Sequence, residues 1–163
     1  MLGRGRSATI YRAFDPTHQR DVALKLFTPP PDPAPTLPEC FEAAARALQA
    51  LSHPSLVRVI GCGNHDGRLF IVMELLRGMT LRDLITAHPA GLEREAALGL
   101  FRQIADGIAY LHAHHLVHGN LKPDNIILRS EQEAVIAGFR LPCLDPKQRA
   151  ASETPEISTL AYQ

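Results

Sequence analysis

The stretch TPPPDPAPTLP, residues 28–38, limits the fold of this chain more than any other. Five prolines fall in its first eight residues. Each removes a backbone donor and fixes φ, so neither a helix nor a central strand can run through it. Residues 29–38 are therefore expected as an exposed, partly polyproline linker inside a domain, with recognition by a proline-binding module as the lesser alternative. Two kinds of pattern flank it. Before it, residues 9–14 and 22–27 are short β-favouring apolar runs separated by the turn-rich DPTHQRD, which predicts a hairpin. After it, Phe41, Ala44, Ala45, Leu48 and Leu51 recur at three- and four-residue spacing, which predicts a helix from Glu39 that stops at Ser52-His53-Pro54.

Two strands are expected next, residues 56–60 and 69–74, joined by GCGNHDG, and then a short helix after Gly78 in RGMTLRDLITAH. The longest periodic run covers residues 93–115, where Leu98, Phe101, Ala105, Ile108, Leu111 and His112 define one apolar face. The order is α+β, sheet-rich in the first half and helical in the second, with no internal repeat. At 163 residues and 45% hydrophobic content the chain suits one domain or part of a larger one. Seventeen basic residues against seventeen acidic ones leave no net field to recruit nucleic acid or an anionic membrane. No apolar run reaches the roughly 18 residues of a membrane helix. Cys40, Cys62 and Cys143 share no CxxC spacing and follow no secretory leader, which suits structural thiols in a reducing, cytoplasmic setting.

Three places carry chemistry. In LGRGRSATIYRA, Gly3 and Gly5 would let backbone approach a phosphate with no Cβ in the way. Lys25 stands amid an apolar strand, where an unpaired ammonium is costly and calls for a partner. VHGNLKPDNIIL, residues 117–128, sets His118, Lys122 and Asn125 at fixed intervals around Asn120. Together with VALKLF, LSHPSLVRVIG, IVMELLRGMTLRDLI and VIAGFRLP, these segments resemble a protein kinase of the bacterial serine/threonine type, in the family's order and spacing. The resemblance runs over nearly all of residues 1–163. It implies a kinase-like fold: an antiparallel N-lobe sheet with helix C and the hinge over residues 1–76, then the start of a helical C-lobe with catalytic loop and activation segment over 77–163. Met1 falls inside the family's first strand and STLAYQ stops near its APE triplet, so a fragment is expected. Its long helix would then lack a later partner and leave an apolar face exposed, making the segment poorly stable or self-associating.

By the same resemblance, nucleotide would meet Gly3 and Gly5, with Ala8 replacing the third glycine. Ala23 and Ile127 would sandwich adenine, Met73 would be the gatekeeper, and Glu74 to Leu76 the hinge. Lys25 would hold the α and β phosphates, but its usual glutamate partner falls on Ala44. Glu42 lies about 200° around the helix from that position and reads as a solvated charge. The proton-accepting Asp of the catalytic loop falls on Asn120, and the metal-binding Asp falls on Gly138 in Gly138-Phe139-Arg140. An amide is far too weak a base. Losing a general base costs roughly 10² to 10⁴ in rate, or about 3 to 5 kcal/mol of barrier, against a turnover of about 1 to 100 per second. Lys122 could still meet a γ-phosphate. Asn125 offers a metal one amide oxygen, a poor site because magnesium normally takes one or two carboxylates. His118, Phe139, Leu48 and Val59 match the family's hydrophobic spine.

The expected function is that of a protein kinase-like domain that has become a pseudokinase, binding nucleotide weakly or serving as a signalling scaffold for a protein partner. The alternative is an active ATP-dependent serine/threonine kinase with an atypical site, recruiting Asp124 or Glu42. Losing the carboxylates at 44, 120 and 138 makes the cleft more positive, so ATP is the expected ligand, held by Lys25, Lys122 and Arg140 with magnesium weak or dispensable. His112, His114, His115 and His118 are dense, but His112 and His118 fall on family positions and no Cys or acid joins them at ligand spacing. Ser152, Thr154, Ser158 and Thr159 are candidate acceptors of phosphate from another kinase.

Overall fold

The computed structural model describes residues 1–5, 7–29 and 33–144. Linker residues 30–32 and the four candidate phosphate acceptors lie outside the described residues. Strands β1 (Gly3–Arg4), β2 (Ala8–Asp15), β3 (Arg20–Phe27), β4 (Val59–His65) and β5 (Arg68–Glu74) form one antiparallel sheet in the order β1-β2-β3-β5-β4. Both runs expected to make the first hairpin lie inside β2 and β3, which pair from Ala8 opposite Phe27 to Asp15 opposite Arg20. Helix α1 (Leu37–Gln49) packs on β4 and buries Leu37, Phe41, Ala45 and Leu48. Its period of three and four residues puts these on one face, and Phe41 meets Phe27 edge-on at 5.5 Å between ring centroids.

Two boundaries differ from expectation. The helix starts at Leu37 rather than Glu39, taking Pro38 into its first turn, where the missing N–H would have no intrahelical partner anyway. The second hairpin is displaced. Leu56 makes only an isolated bridge to Ile136, while β4 runs on through Gly61, Cys62, Gly63, Asn64 and His65, leaving Asp66 and Gly67 to make the turn. What looked like connector is strand because the Phe70 ring lies across Gly63, where a Cβ would come within 2.6 Å of it.

The second half holds β6 (Met79–Thr80), α2 (Leu81–Ala87), α3 (Arg94–Ala113), β7 (Ile126–Ser130) and β8 (Glu133–Ile136). The strands form a small sheet in the order β6-β7-β8. Thr80 and Asp83 close a reciprocal capping box at the start of α2, and the Glu93 side chain caps α3 by accepting from the Glu95 and Ala96 N–H groups. The buried face of α3 is Leu100, Gly107 and Leu111, with Ile104 partly buried beside them. It overlaps the face expected from the periodicity only at Leu111 and the partly buried Ile108. Leu98 and Phe101 point outward, Phe101 67% exposed, so the helix carries a second apolar stripe that the described residues do not cover.

Backbone hydrogen bonds join the two halves in the core. The Val57 N–H donates to the Ile136 carbonyl at 2.9 Å and the Ile136 N–H to the Ser55 carbonyl at 2.8 Å. Val135 and Ile136 are fully buried there, in the same core as Phe41 and Leu111. Among the described residues, no helix is long and apolar enough to cross a membrane.

Candidate functional site

The strand register builds one wall of a cleft between the halves. Ala23 pairs with Met73 across β3 and β5, and Val59 pairs with the same Met73 from β4, so three buried apolar side chains stand in a row. Ile127 enters from β7 and is half-buried. The chain leaves β5 at Glu74 and passes Leu75 and Leu76, both half-buried against the main core. The Glu74 side chain fixes this crossing. One carboxylate oxygen accepts from the Arg58 N–H at 2.9 Å and the other from the Arg129 guanidinium at 2.6 Å, linking the hinge to β7. At the mouth, Gly5 donates its N–H to the Ala8 carbonyl at 2.8 Å, tightening the turn between β1 and β2, and the space over Gly3 is open.

Lys25 lies deep in β3. Its ammonium donates to the Phe139 carbonyl at 3.1 Å and stands 5.0 Å from the Phe27 ring centroid. No carboxylate pairs with it among the described residues. Ala44, where a glutamate was looked for, packs against the core instead. Burial without a counter-charge lowers Lys25 from 10.5 to about 8. Glu42 is engaged elsewhere, with Arg46 one turn along α1 at 2.6 Å, both exposed.

The loop between α3 and β7 is laced to the segment after β8. The neutral His118 ring accounts for two bonds: Nε2 donates to the Ala137 carbonyl at 2.9 Å, and Nδ1 accepts from the Asn120 N–H at 3.2 Å. Burial pushes its proton affinity down, which favours this tautomer. The ring rests on Phe139, centroids 5.1 Å apart, and Phe139, Leu48 and Val59 share one buried cluster. The Asn120 side chain donates to the Gly138 carbonyl at 3.2 Å, and the Asn125 side chain donates to the Asn120 carbonyl at 2.6 Å. Gly138 sits at φ +80°, and a Cβ there would lie 2.6 Å from Asn125 Cγ and 2.7 Å from its Oδ1. The Asn125 amide thus occupies the space that any side chain at 138 would enter.

Lys122 is exposed beside this network. Arg140 is exposed as well, and its stem lies over Gly119, whose Cβ would be 3.1 Å from that of Arg140. Asp124 faces Arg82 at 3.4 Å rather than the cleft interior. For a metal, Asn125 supplies an amide oxygen and position 138 supplies no side-chain donor. Among the described residues no three of His, Cys, Asp and Glu stand together as ligands. Among the described residues that leaves one neutral oxygen where magnesium sites normally carry one or two carboxylates.

An antiparallel sheet with one helix, a hinge, and a helical half presenting a polar loop to a buried lysine define a fold of the protein kinase type. The family model for protein tyrosine and serine/threonine kinases matches residues 1–158, and the chain belongs to that family. It is similar to the serine/threonine-protein kinase PrkC of Bacillus subtilis, 34% identical over 128 residues, 78% of this chain and 20% of that one. Pkn2 of Myxococcus xanthus is 32% identical over 98% of this chain and 19% of its own. Cyclin-dependent kinase 4 of mouse is 33% identical over 99% of this chain and 56% of its own. Among solved structures, Rad53 residues 1–466 in complex with AMP-PNP superposes with a TM-score of 0.76 at 29% identity, covering 86% of this chain and 36% of that one. The chain therefore spans about a fifth of the length of the two bacterial relatives.

Proposed function

We propose that this kinase-family chain is a pseudokinase module: it binds ATP between the apolar wall and Lys25, without requiring magnesium, and serves as a scaffold for a protein partner. One observation carries the reading. The Asn125 amide fills the space at Gly138 and is held there by the Asn120 carbonyl, while the Asn120 side chain spends its N–H on the Gly138 carbonyl. Of the two acidic positions of the family, 120 thus carries an amide spent on the Gly138 backbone and 138 carries no side chain, so neither offers a base or an anionic ligand. The wall for adenine needs only apolar side chains and hinge backbone, and Ala23, Met73, Glu74, Leu76 and Ile127 supply these. The phosphates would meet Lys25 and Lys122, whose charge is not offset by carboxylates at 44, 120 or 138. The AMP-PNP held by the Rad53 structure supports the choice of an adenine nucleotide.

The test is thermal stabilisation by ATP, measured with magnesium and with a chelator, beside a radioactive phosphate-transfer assay. Stabilisation equal in both conditions, with no transfer, is expected. Stabilisation only with magnesium, or transfer that disappears in Lys25→Ala, would overturn the proposal in favour of an active kinase.

A further inference from the structure

Cys40 and Cys143 are far apart in sequence and adjacent in space. Cys40 lies in the first turn of α1, where its N–H bonds the Thr36 carbonyl at 3.0 Å. Cys143 lies in the short 3-10 turn Pro142–Leu144 that follows the Gly138-Phe139-Arg140 segment. That turn packs against α1. Cys143 is buried in the core that also holds Leu37 and Phe41, the α1 residues on either side of Cys40, whereas Cys40 itself is exposed and stands close enough to Cys143 to act on it electrostatically. Cys62, the third thiol, sits on β4 and has no such neighbour.

We propose that Cys40 and Cys143 form a redox modification site, closing a disulfide by exchange with a small-molecule disulfide such as glutathione disulfide, and so tying α1 to the segment that carries Phe139. The accessible Cys40 thiolate attacks one sulfur of glutathione disulfide. The S–S bond breaks, one glutathione leaves and takes up the proton lost by Cys40, and a mixed disulfide remains on Cys40. Cys143 then attacks Cys40 Sγ, expelling the second glutathione, which takes the proton from Cys143. Two protein thiols are oxidised and one disulfide is reduced to two thiols.

The order of events follows from burial. Cys143 is held well above the ordinary thiol range, first by burial and then by its neighbour Cys40, so it does not compete as the first nucleophile. Once Cys40 is capped it is no longer a thiol beside Cys143, and burial is the main restraint left on Cys143. The tie falls at a helix start that lacks a side-chain cap, since Thr36 makes none to α1. It also reaches the cleft, because Phe139 supplies the carbonyl that holds Lys25.

The test incubates the full chain with glutathione and glutathione disulfide and reads intact mass, non-reduced peptide maps and thermal unfolding. Wild type should lose two hydrogens, join the Cys40 and Cys143 peptides, and unfold at a higher temperature until dithiothreitol reverses it. Cys62→Ser should behave the same way. Cys143→Ala should stop with one glutathione on Cys40, and Cys40→Ser should leave Cys143 unmodified. The wild-type map alone decides the matter if a variant folds poorly. Wild type that halts as a glutathione adduct, that links Cys62, or whose unfolding temperature is unmoved by the bond would overturn the proposal.

Discussion

On the side of the cleft proposed for adenine, Ala23, Val59 and Met73 stand in strand register with their polar backbone groups committed to the sheet, and Glu74 is anchored through both oxygens. On the side proposed for the phosphates, Lys25, Asn120 and Asn125 hold positions set by single hydrogen bonds to carbonyls of the loop between α3 and β7 and of the segment after β8. The first wall works through shape and backbone, so substitutions leave it serviceable. The second works through formal charge, and there an amide or a glycine is no replacement for a carboxylate. Recognition and chemistry can thus separate within one cleft, because they rest on different interactions.

The largest effect should come from filling the phosphate side. Gly138→Ala forces a side chain against Asn125 at a φ that only glycine adopts freely, and should cost about 3 kcal/mol in urea unfolding. A loss below about 1 kcal/mol would mean that Asn125 is not wedged there.

Next is Lys25→Met. The shift from 10.5 to about 8 corresponds to about 3 kcal/mol of penalty for burying the charge. Between those two values the unfolded chain binds a proton that the folded chain has released, so wild-type stability rises with pH across that window. Below about pH 8 the whole penalty applies. The Met variant should therefore be more stable than wild type at neutral pH, with the advantage fading as pH approaches 10.5. Unfolding across a pH series checks this, and a constant difference would show that the lysine charge is not the cause.

If phosphate binding recharges Lys25, ATP affinity should fall roughly tenfold from pH 7 to pH 9 and binding should take up a proton. Calorimetry in two buffers of different ionisation heat reads both.

The smallest effect belongs to the adenine side. Glu74→Gln should cost about 1 kcal/mol, reduced by salt because Glu74 and Arg129 are each about a third exposed. It should leave ATP affinity unchanged. A large affinity loss would show that the hinge reads more than backbone and shape.

Most of the architecture was legible in the sequence because periodicity reports burial directly. β2, β3, β5 and α1 lie close to where the apolar spacing put them. The misses share a cause: a glycine or proline whose meaning depends on a distant neighbour. Gly63 looked like turn and is strand because Phe70 crosses it. Pro38 looked like linker and is helix because only its position within the first turn matters. On α3, Gly107 marks the buried face. A Cβ there would meet Ile136 at 3.0 Å, a contact invisible without β8, whereas the bulkier Leu98 and Phe101 drew attention to the outer face. Kinase-like spacing located Lys25, Asn120 and Gly138, but the interlock of Asn125 with position 138 and the nearness of Cys40 to Cys143 are products of tertiary packing. No local pattern encodes them.

The occupied space at Gly138 also governs which neighbouring sequences are reachable. A lone Gly138→Asp substitution would meet the Asn125 amide before its carboxylate could serve any ligand, so the first step back toward a metal-binding cleft is uphill. Asn125 must first let go of the Asn120 carbonyl. Changing Asn120 to Asp does not release it, because the bond is to backbone. Restoring an acid at 138 is therefore not independent of Asn125, and the loop holds its present state by steric precedence.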